Sequence, residues 1–166
     1  VQENSNTVKG PGCGLYLTFP TKAHEQVQMQ VGLSYTSIEN ARNNRDTEIA
    51  NKSFNDVKNA ARQTWNELLG RIQVEGGTPE DKTKFYTGLY HALLGRGIAN
   101  DINGQYIRHD KTIGQIPLDK NGIPLYSHHN TDGMWGGFWN LTQIWTLAYP
   151  EIFSSYIKSN LDFFKN

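Results

Sequence analysis

Two segments near the start of the chain alternate apolar and polar residues with a period of two. In 15–19 the residues Leu15, Leu17 and Phe19 share one face, and in 27–35 every second residue is apolar. This alternation predicts strands with one buried face and one face in water. Because two strands alone are only marginally stable in water, we expect them to be the last strands of a larger sheet.

The period changes near residue 37, and from there apolar residues recur at helical spacing. The pattern predicts a short charged helix at 37–49 and a second helix that Ser53 caps and Gly70 ends. A third helix is predicted to open at Thr78-Pro79, because proline suits the first helical position and the hydroxyl can accept a backbone N–H. A short strand is expected at 72–74.

Residues 96–130 are predicted to be mostly non-helical. Asn103-Gly104 and Asn121-Gly122 are strong signals for tight turns, and Asp101 is expected to stabilise the first of them. Short hairpin strands are predicted around Tyr106-Ile107 and Ile116-Pro117. A long turn-rich segment of this kind is usually functional or disordered, and its aromatic content favours order.

The next helix, predicted at 133–149, is apolar nearly all round, which is typical of a helix surrounded by other helices. Pro150 is expected to end it, and a last helix is predicted at 151–164. Four or five helices with this much apolar surface cannot cover one another. We therefore expect the chain to be part of a longer polypeptide.

Composition argues against several classes of protein. The 166 residues include 16 basic and 16 acidic side chains, so the formal charge is zero, which argues against a nucleic-acid partner. No apolar run is long enough to span a membrane. The lone Cys13 excludes an internal disulfide framework and a multi-cysteine zinc site.

The stretch 126–150 holds the strongest candidate chemistry. Five residues are predicted to form a sugar pocket, in which aromatic faces cover C–H patches and polar groups bind hydroxyls: His128, His129, Asp132, Trp135 and Trp139. The tryptophans can instead be core, as expected for Trp145, and Asp132 can instead cap the helix. Adjacent histidines in an extended backbone point opposite ways, so at most one is expected to face a pocket.

Several motifs resemble glycoside hydrolase family 92, the calcium-dependent exo-α-mannosidases. They are KFYTGLYHALL at 84–94, ANDINGQYIRHD at 99–110 and TLAYPE at 146–151, with GLYLTF at 14–19, VGLSYTSIENARNN at 31–44 and WNELLGRIQVEGGT at 65–78 upstream. The resemblance implies an α+β protein that is mostly α in this chain. Residues 1–36 would be the terminal strands of a β-sandwich, 37–77 linker helices with a short strand, and 78–166 the first helical hairpins of an (α/α)6 toroid.

The resemblance also implies an activity, the hydrolysis of terminal α-mannosyl residues with inversion, assisted by Ca²⁺. Inversion needs two carboxyl groups about 6.5–9.5 Å apart, which leaves room for the attacking water. No stretch here matches the family's catalytic carboxylates, so they and the calcium ligands are expected outside this chain. The isolated chain is then expected to be inactive and to supply only part of the pocket wall.

One motif departs from the family pattern. Trp135 aligns with the tryptophan of a Ser-Leu-Trp-Asp-Thr-type run, but Gly136 stands where the aspartate is expected. Asp132, on a longer loop, is a candidate replacement. This departure puts mannose specificity in doubt more than the hydrolase class, and another α-glycoside is the alternative substrate.

The implied partners are an α-mannoside glycan and the remainder of the same polypeptide, and the implied location is periplasmic or secreted. Three rival functions stay open. The first is a non-catalytic carbohydrate-binding protein, and the second is a metal-dependent hydrolase that uses His91, His128 and His129. The third is an interaction module, since a large exposed apolar surface normally marks an interface.

Overall fold

The computed structural model describes residues 7–94, 97–130 and 134–165, and these residues are mostly helical with one small sheet. The helices and strands, in chain order, are α1 (Ile38–Glu48), α2 (Phe54–Leu69), α3 (Pro79–Leu94), β1 (Gln105–Ile107), β2 (Ile113–Gln115), α4 (Met134–Gly137), α5 (Leu141–Ala148) and α6 (Pro150–Lys165). Among the described residues no helix is both long and apolar enough to cross a membrane.

The predicted helix starts are confirmed by their caps. The Ser53 hydroxyl accepts the Asp56 N–H at 3.2 Å, while the Asp56 carboxylate accepts the Ser53 N–H at 3.0 Å. Thr78 and Asp81 form the same reciprocal pair before α3. In both pairs these hydrogen bonds lower the pKa of the aspartate. Each cap pairs backbone N–H groups that the first helical turn leaves without a partner.

The apolar core lies where α3, α5 and α6 meet. Its buried members are Leu89, Trp145, Tyr149 and Tyr156. The Trp145 and Tyr156 rings meet edge to face, with centroids 5.5 Å apart at 84°. The Tyr149 hydroxyl donates to the Leu68 carbonyl at 2.9 Å, which ties the end of α2 to this core. The prediction that Trp145 is core is therefore confirmed.

The predicted hairpin exists, with its second strand slightly displaced. β1 and β2 pair antiparallel, with Tyr106 opposite Gly114. Ile116, predicted to lie within the second strand, follows it and is fully buried. Gly104 and Gly122 adopt positive φ angles of 83° and 78°, as the two predicted turns require.

The segments 15–19, 27–35 and 72–74, predicted to be strands, find no pairing partner in the described chain. The described residues form no ladder there, and Leu17 and Leu33 are 59% and 79% exposed. A strand needs a neighbour for its backbone hydrogen bonds, and the described chain places none beside these segments. Ile72 packs against the core instead of pairing in a sheet.

The single aromatic helix predicted at 133–149 is also wrong, because it is divided by a turn at 138–140 into α4 and α5. Gly136 and Gly137 explain the break, since glycine costs about 1 kcal/mol relative to alanine inside a helix. The expected burial on all sides fails as well: Trp135 and Trp139 are 78% and 67% exposed.

Asp101 has a larger role than the turn predicted for it. Its backbone carbonyl does accept the Gly104 N–H at 2.8 Å. Its side chain, in a residue only 4% exposed, also accepts hydrogen bonds from distant donors. Two of them are the Ser34 hydroxyl at 2.9 Å and the Asn44 amide at 2.8 Å. Asp101 therefore fastens segment 34–36 and α1 to the hairpin.

Candidate functional site

A cleft of about 540 Å³ lies between the segments at 97–99 and 128–130, the end of β1 and the C-terminal half of α6. Its wall mixes polar side chains with aromatic and aliphatic ones: Tyr35, Gly97, Ile98, Ala99, Ile107, Arg108, His109, His128, His129, Asn130, Asp162 and Phe163. A concave site with a few convergent polar groups is the usual form of a small-ligand site.

Backbone pairing brings the two loop segments together. The Ala99 N–H donates to the His128 carbonyl at 2.8 Å, and the Asn130 N–H donates to the Gly97 carbonyl at 3.0 Å. The His129 N–H donates to the Ser159 hydroxyl at 2.9 Å, which fixes the same segment to α6. Residues far apart in the sequence therefore share one wall.

Both predicted histidines line the cleft, so the expectation that at most one would do so is wrong. The reason is that segment 128–130 lies between the hairpin and α6, and the cleft has walls on both. The His128 ring stacks on the Tyr106 ring, with centroids 3.9 Å apart at 17°. His129 is only 6% exposed. Burial lowers the pKa of His128, although the Asp162 carboxylate opposes this shift.

Tyr106, Asp162 and Arg108 form a hydrogen-bonded group beside His128. Burial and a hydrogen bond to Asp162 raise the pKa of Tyr106 to about 12, while a hydrogen bond with Arg108 opposes the rise. The Tyr106 hydroxyl therefore stays protonated at neutral pH and can donate to the carboxylate. A Cβ on Gly114 would clash with the Tyr106 ring, so the glycine opposite leaves the ring its place.

Sequence reasoning missed Asp162, Arg108 and Tyr35 as site residues. Asp162 belongs to the predicted last helix and Arg108 follows β1, and no local spacing links them. Only the packing of α6 against the hairpin joins them. The quoted family motifs contain Tyr35 and Arg108 but indicated no role for either, and they end before Asp162.

Two of the predicted sugar-binding residues are not brought to this cleft. Trp135 and Trp139 lie outside its wall. With Phe138 they form an exposed aromatic group, in which the Phe138 centroid is 6.3 Å from Trp135 and 5.2 Å from Trp139. Asp132 falls outside the described residues, so both its cap and its ligand role stay predictions.

The part of the chain that the structure describes holds no cluster of metal-ligating side chains. Within 7–94, 97–130 and 134–165 no group of three or more His, Cys, Asp or Glu side chains could hold a metal ion. The most buried carboxylate, Asp101, accepts its hydrogen bonds from neutral hydroxyl and amide donors. His91 is exposed on α3 and does not line the cleft.

Solved structures with a similar fold are glycosidases. The chain is 25% identical to the family GH92 alpha-mannosidase BT3965 from Bacteroides thetaiotaomicron, with a TM-score of 0.70 over 80% of this chain and 17% of that one. The same enzyme in complex with mannoimidazole gives the same score over 80% of this chain and 16% of that chain, again at 25% identity. The inverting mannosidase BT2199 from the same organism is 27% identical, with a TM-score of 0.66 over 76% of this chain and 16% of that one.

The chain thus spans about one sixth of the length of those mannosidases. No curated protein matches its sequence. A model of the glycosyl hydrolase family 92 catalytic domain matches residues 40–166, which is most of the chain. The motifs, the fold and this match agree, and the chain belongs to glycosyl hydrolase family 92.

Proposed function

We propose that this chain is part of a glycosidase that removes terminal α-mannosyl, or related α-glycosyl, residues with inversion. Its part is to supply a wall of the sugar pocket. The family match over 40–166 supports the reaction class. The observation that carries the pocket-wall role is the exposure of Trp135 at 78%, against 1% for Trp145, ten residues later in the same aromatic stretch.

An exposed tryptophan is costly to leave in water, and a sugar face is one of the surfaces that compensates for it. Trp135 and Trp139 offer flat apolar faces, and Phe138 lies between them. Aromatic rings of this kind stack on the C–H patches of a pyranose. The cleft, which Trp135 and Trp139 do not line, offers hydroxyl-binding groups of its own, among them His128 and His129.

The chemistry itself needs more carboxylates than the cleft contains. Among the described lining residues Asp162 is the one carboxylate, whereas inversion uses a general acid and a general base on opposite faces of the sugar. We therefore place both catalytic groups, and any Ca²⁺, on parts of the enzyme beyond these 166 residues. When bound, the cation would help to distort the sugar ring.

The proposal also concerns the domains to which this chain contributes, the substrate and the location of the protein. Its exposed apolar residues at 15–35 would complete a β-sandwich, and α3–α6 would open an (α/α)6 toroid formed with further helices of the same polypeptide. The substrate would be an α-mannoside glycan. A periplasmic or secreted location rests on the family resemblance.

Activity measurements on the full-length protein test this proposal. The full-length protein should hydrolyse an aryl α-mannoside, and the isolated chain 1–166 should release no product. Aryl α-glucosides and α-galactosides, tested in parallel, decide whether Gly136 has altered the specificity. A full-length protein inactive on every α-glycoside would contradict the proposal.

A non-catalytic carbohydrate-binding protein is the second candidate. The single carboxylate in the cleft favours it, since binding needs no acid–base pair. Calorimetric titration with mannose separates the two, because a binding protein would bind the sugar and leave aryl glycosides intact.

A further inference from the structure

We propose that Asp162 determines sugar specificity, accepting hydrogen bonds from hydroxyl groups of the ligand in the cleft while Tyr106 and Arg108 hold it in place. This inference rests on the proposed function, since it presumes that the cleft receives a sugar. It adds a residue that neither the sequence motifs nor the exposed tryptophans indicate.

The position of Asp162 supports this role. It lies on the last turns of α6, is half-buried and lines the cleft. A carboxylate at the wall of a partly dry cleft binds hydroxyl groups more strongly than a neutral acceptor does. An ionised carboxylate accepts about four hydrogen bonds, so the bond from Tyr106 is compatible with bonds from a ligand.

The neighbours of Asp162 keep it in one geometry. Tyr106 is 2% exposed, and its ring is held between the His128 ring and the Gly114 backbone. Its hydroxyl interacts by hydrogen bonds with both Asp162 and Arg108. A carboxylate that a rigid, buried partner already holds loses little side-chain entropy when the ligand binds.

The charge balance of the cleft favours an uncharged polyol. Arg108 and Asp162 contribute opposite formal charges, and burial favours the neutral form of His128 by lowering its pKa. A phosphorylated or carboxylated sugar would meet both the Asp162 carboxylate and the Arg108 guanidinium, so the repulsion by one offsets the attraction by the other. A neutral hexose would meet only acceptors, donors and rings.

Aromatic faces at the cleft complete the fit to a sugar. Tyr35 is 80% exposed and Phe163 is 43% exposed, and both line the cleft. The His109 ring packs against Phe163 with centroids 4.7 Å apart. Such faces can cover the apolar side of a pyranose whose hydroxyl groups point toward Asp162.

The test combines one substitution with altered substrates. The full-length enzyme and its Asp162→Asn variant are assayed on an aryl α-mannoside and on analogues lacking the hydroxyl at carbon 3, carbon 4 or carbon 6. The wild type should disfavour one or more analogues by about 10- to 100-fold in kcat/KM. Asp162→Asn should lower kcat/KM for the full mannoside by a similar factor and lose that discrimination.

A purely structural role would leave the discrimination between analogues unchanged, even if overall activity fell. Glu75→Gln, which removes an exposed carboxylate away from the cleft, should behave as wild type. Tyr106→Phe gives a second route should Asp162→Asn fold poorly, and it should weaken discrimination in the same direction by a smaller factor.

Different failures are distinguishable. An active wild type whose Asp162→Asn and Tyr106→Phe variants keep full discrimination would overturn the inference and leave the glycosidase proposal standing. A wild type that neither hydrolyses these glycosides nor binds mannose in calorimetry would overturn the proposed function and the inference with it. Markedly tighter binding of mannose 6-phosphate than of mannose would overturn the argument from charge.

Discussion

α4 and α5 come from one aromatic stretch and end in opposite environments. On α5, Trp145 is 1% exposed and meets Tyr156 edge to face. On α4 and the turn after it, Trp135 and Trp139 are mostly exposed. The residue types are the same, so composition does not set the difference. It is set by whether the described chain supplies a partner surface.

This comparison teaches how to interpret the exposed parts of the chain. A buried tryptophan stabilises a fold, whereas a tryptophan that a fold leaves exposed offers its face to a ligand or to another part of the polypeptide.

Trp145→Ala should lower the free energy of unfolding by about 3–5 kcal/mol, because it leaves a cavity in the core around Leu89 and Tyr149. Urea denaturation followed by circular dichroism measures this loss. Trp145→Phe keeps an aromatic ring and should lower the free energy of unfolding by a smaller amount. Equal stability of the alanine variant and the wild type would mean that α5 does not form the core.

Asp101→Ala should lower the free energy of unfolding by about 1–3 kcal/mol, because the side-chain amides of buried Asn40 and half-buried Asn44 each lose one acceptor. This variant tests whether the hydrogen bonds of Asp101 hold segment 34–44 in place, as apolar packing holds α5. Hydrogen exchange at 34–44 should quicken in the variant. Asp46→Ala, at an exposed position on the same α1, is the matched control. If Asp101→Ala is as stable as Asp46→Ala, Asp101 does not hold the segment in place.

Trp135→Ala should change the unfolding free energy by less than about 0.5 kcal/mol, as an exposed substitution normally does. In the full-length enzyme it should raise KM for the α-mannoside. Leu147→Ala is the control, since Leu147 is 86% exposed on α5 and has no proposed contact with sugar. If the two variants give the same kinetics, the aromatic surface does not bind substrate.

His128 should make a small contribution to the dependence of stability on pH. Because burial lowers its pKa in the folded state from 6.5, the unfolded chain binds the proton more readily. Stability is therefore complete above pH 6.5 and falls as the pH drops toward the folded-state pKa. Denaturation curves recorded at several pH values give the unfolding free energy, which should vary less with pH across this window in His128→Gln than in the wild type. An unchanged slope would contradict the burial argument.

The sequence predicted the parts of the fold that local chemistry decides. Ser53 and Thr78 began their helices as expected, because a cap and its partner lie three residues apart. Gly104 and Gly122 gave the two turns. The burial of Trp145 was also predicted, although the same apolar pattern did not distinguish it from the exposed Trp135 and Trp139.

The failures share a different cause, which is dependence on distant partners. The alternation at 27–35 has the period of a strand, but a strand exists only beside another strand. The Asp101 anchor and the grouping of Asp162 with Tyr106 join residues that are far apart in the chain. In the candidate site, His128 and His129 were found from local pattern, while Asp162 and Arg108 required the packing of α6 on the hairpin.

The most direct test of the account is the configuration of the first product. Proton NMR spectra recorded in the first minutes of α-mannoside hydrolysis by the full-length protein distinguish the two mannose anomers before they equilibrate. The account predicts that β-mannose appears first. The appearance of α-mannose first, or of no mannose at all, would contradict it.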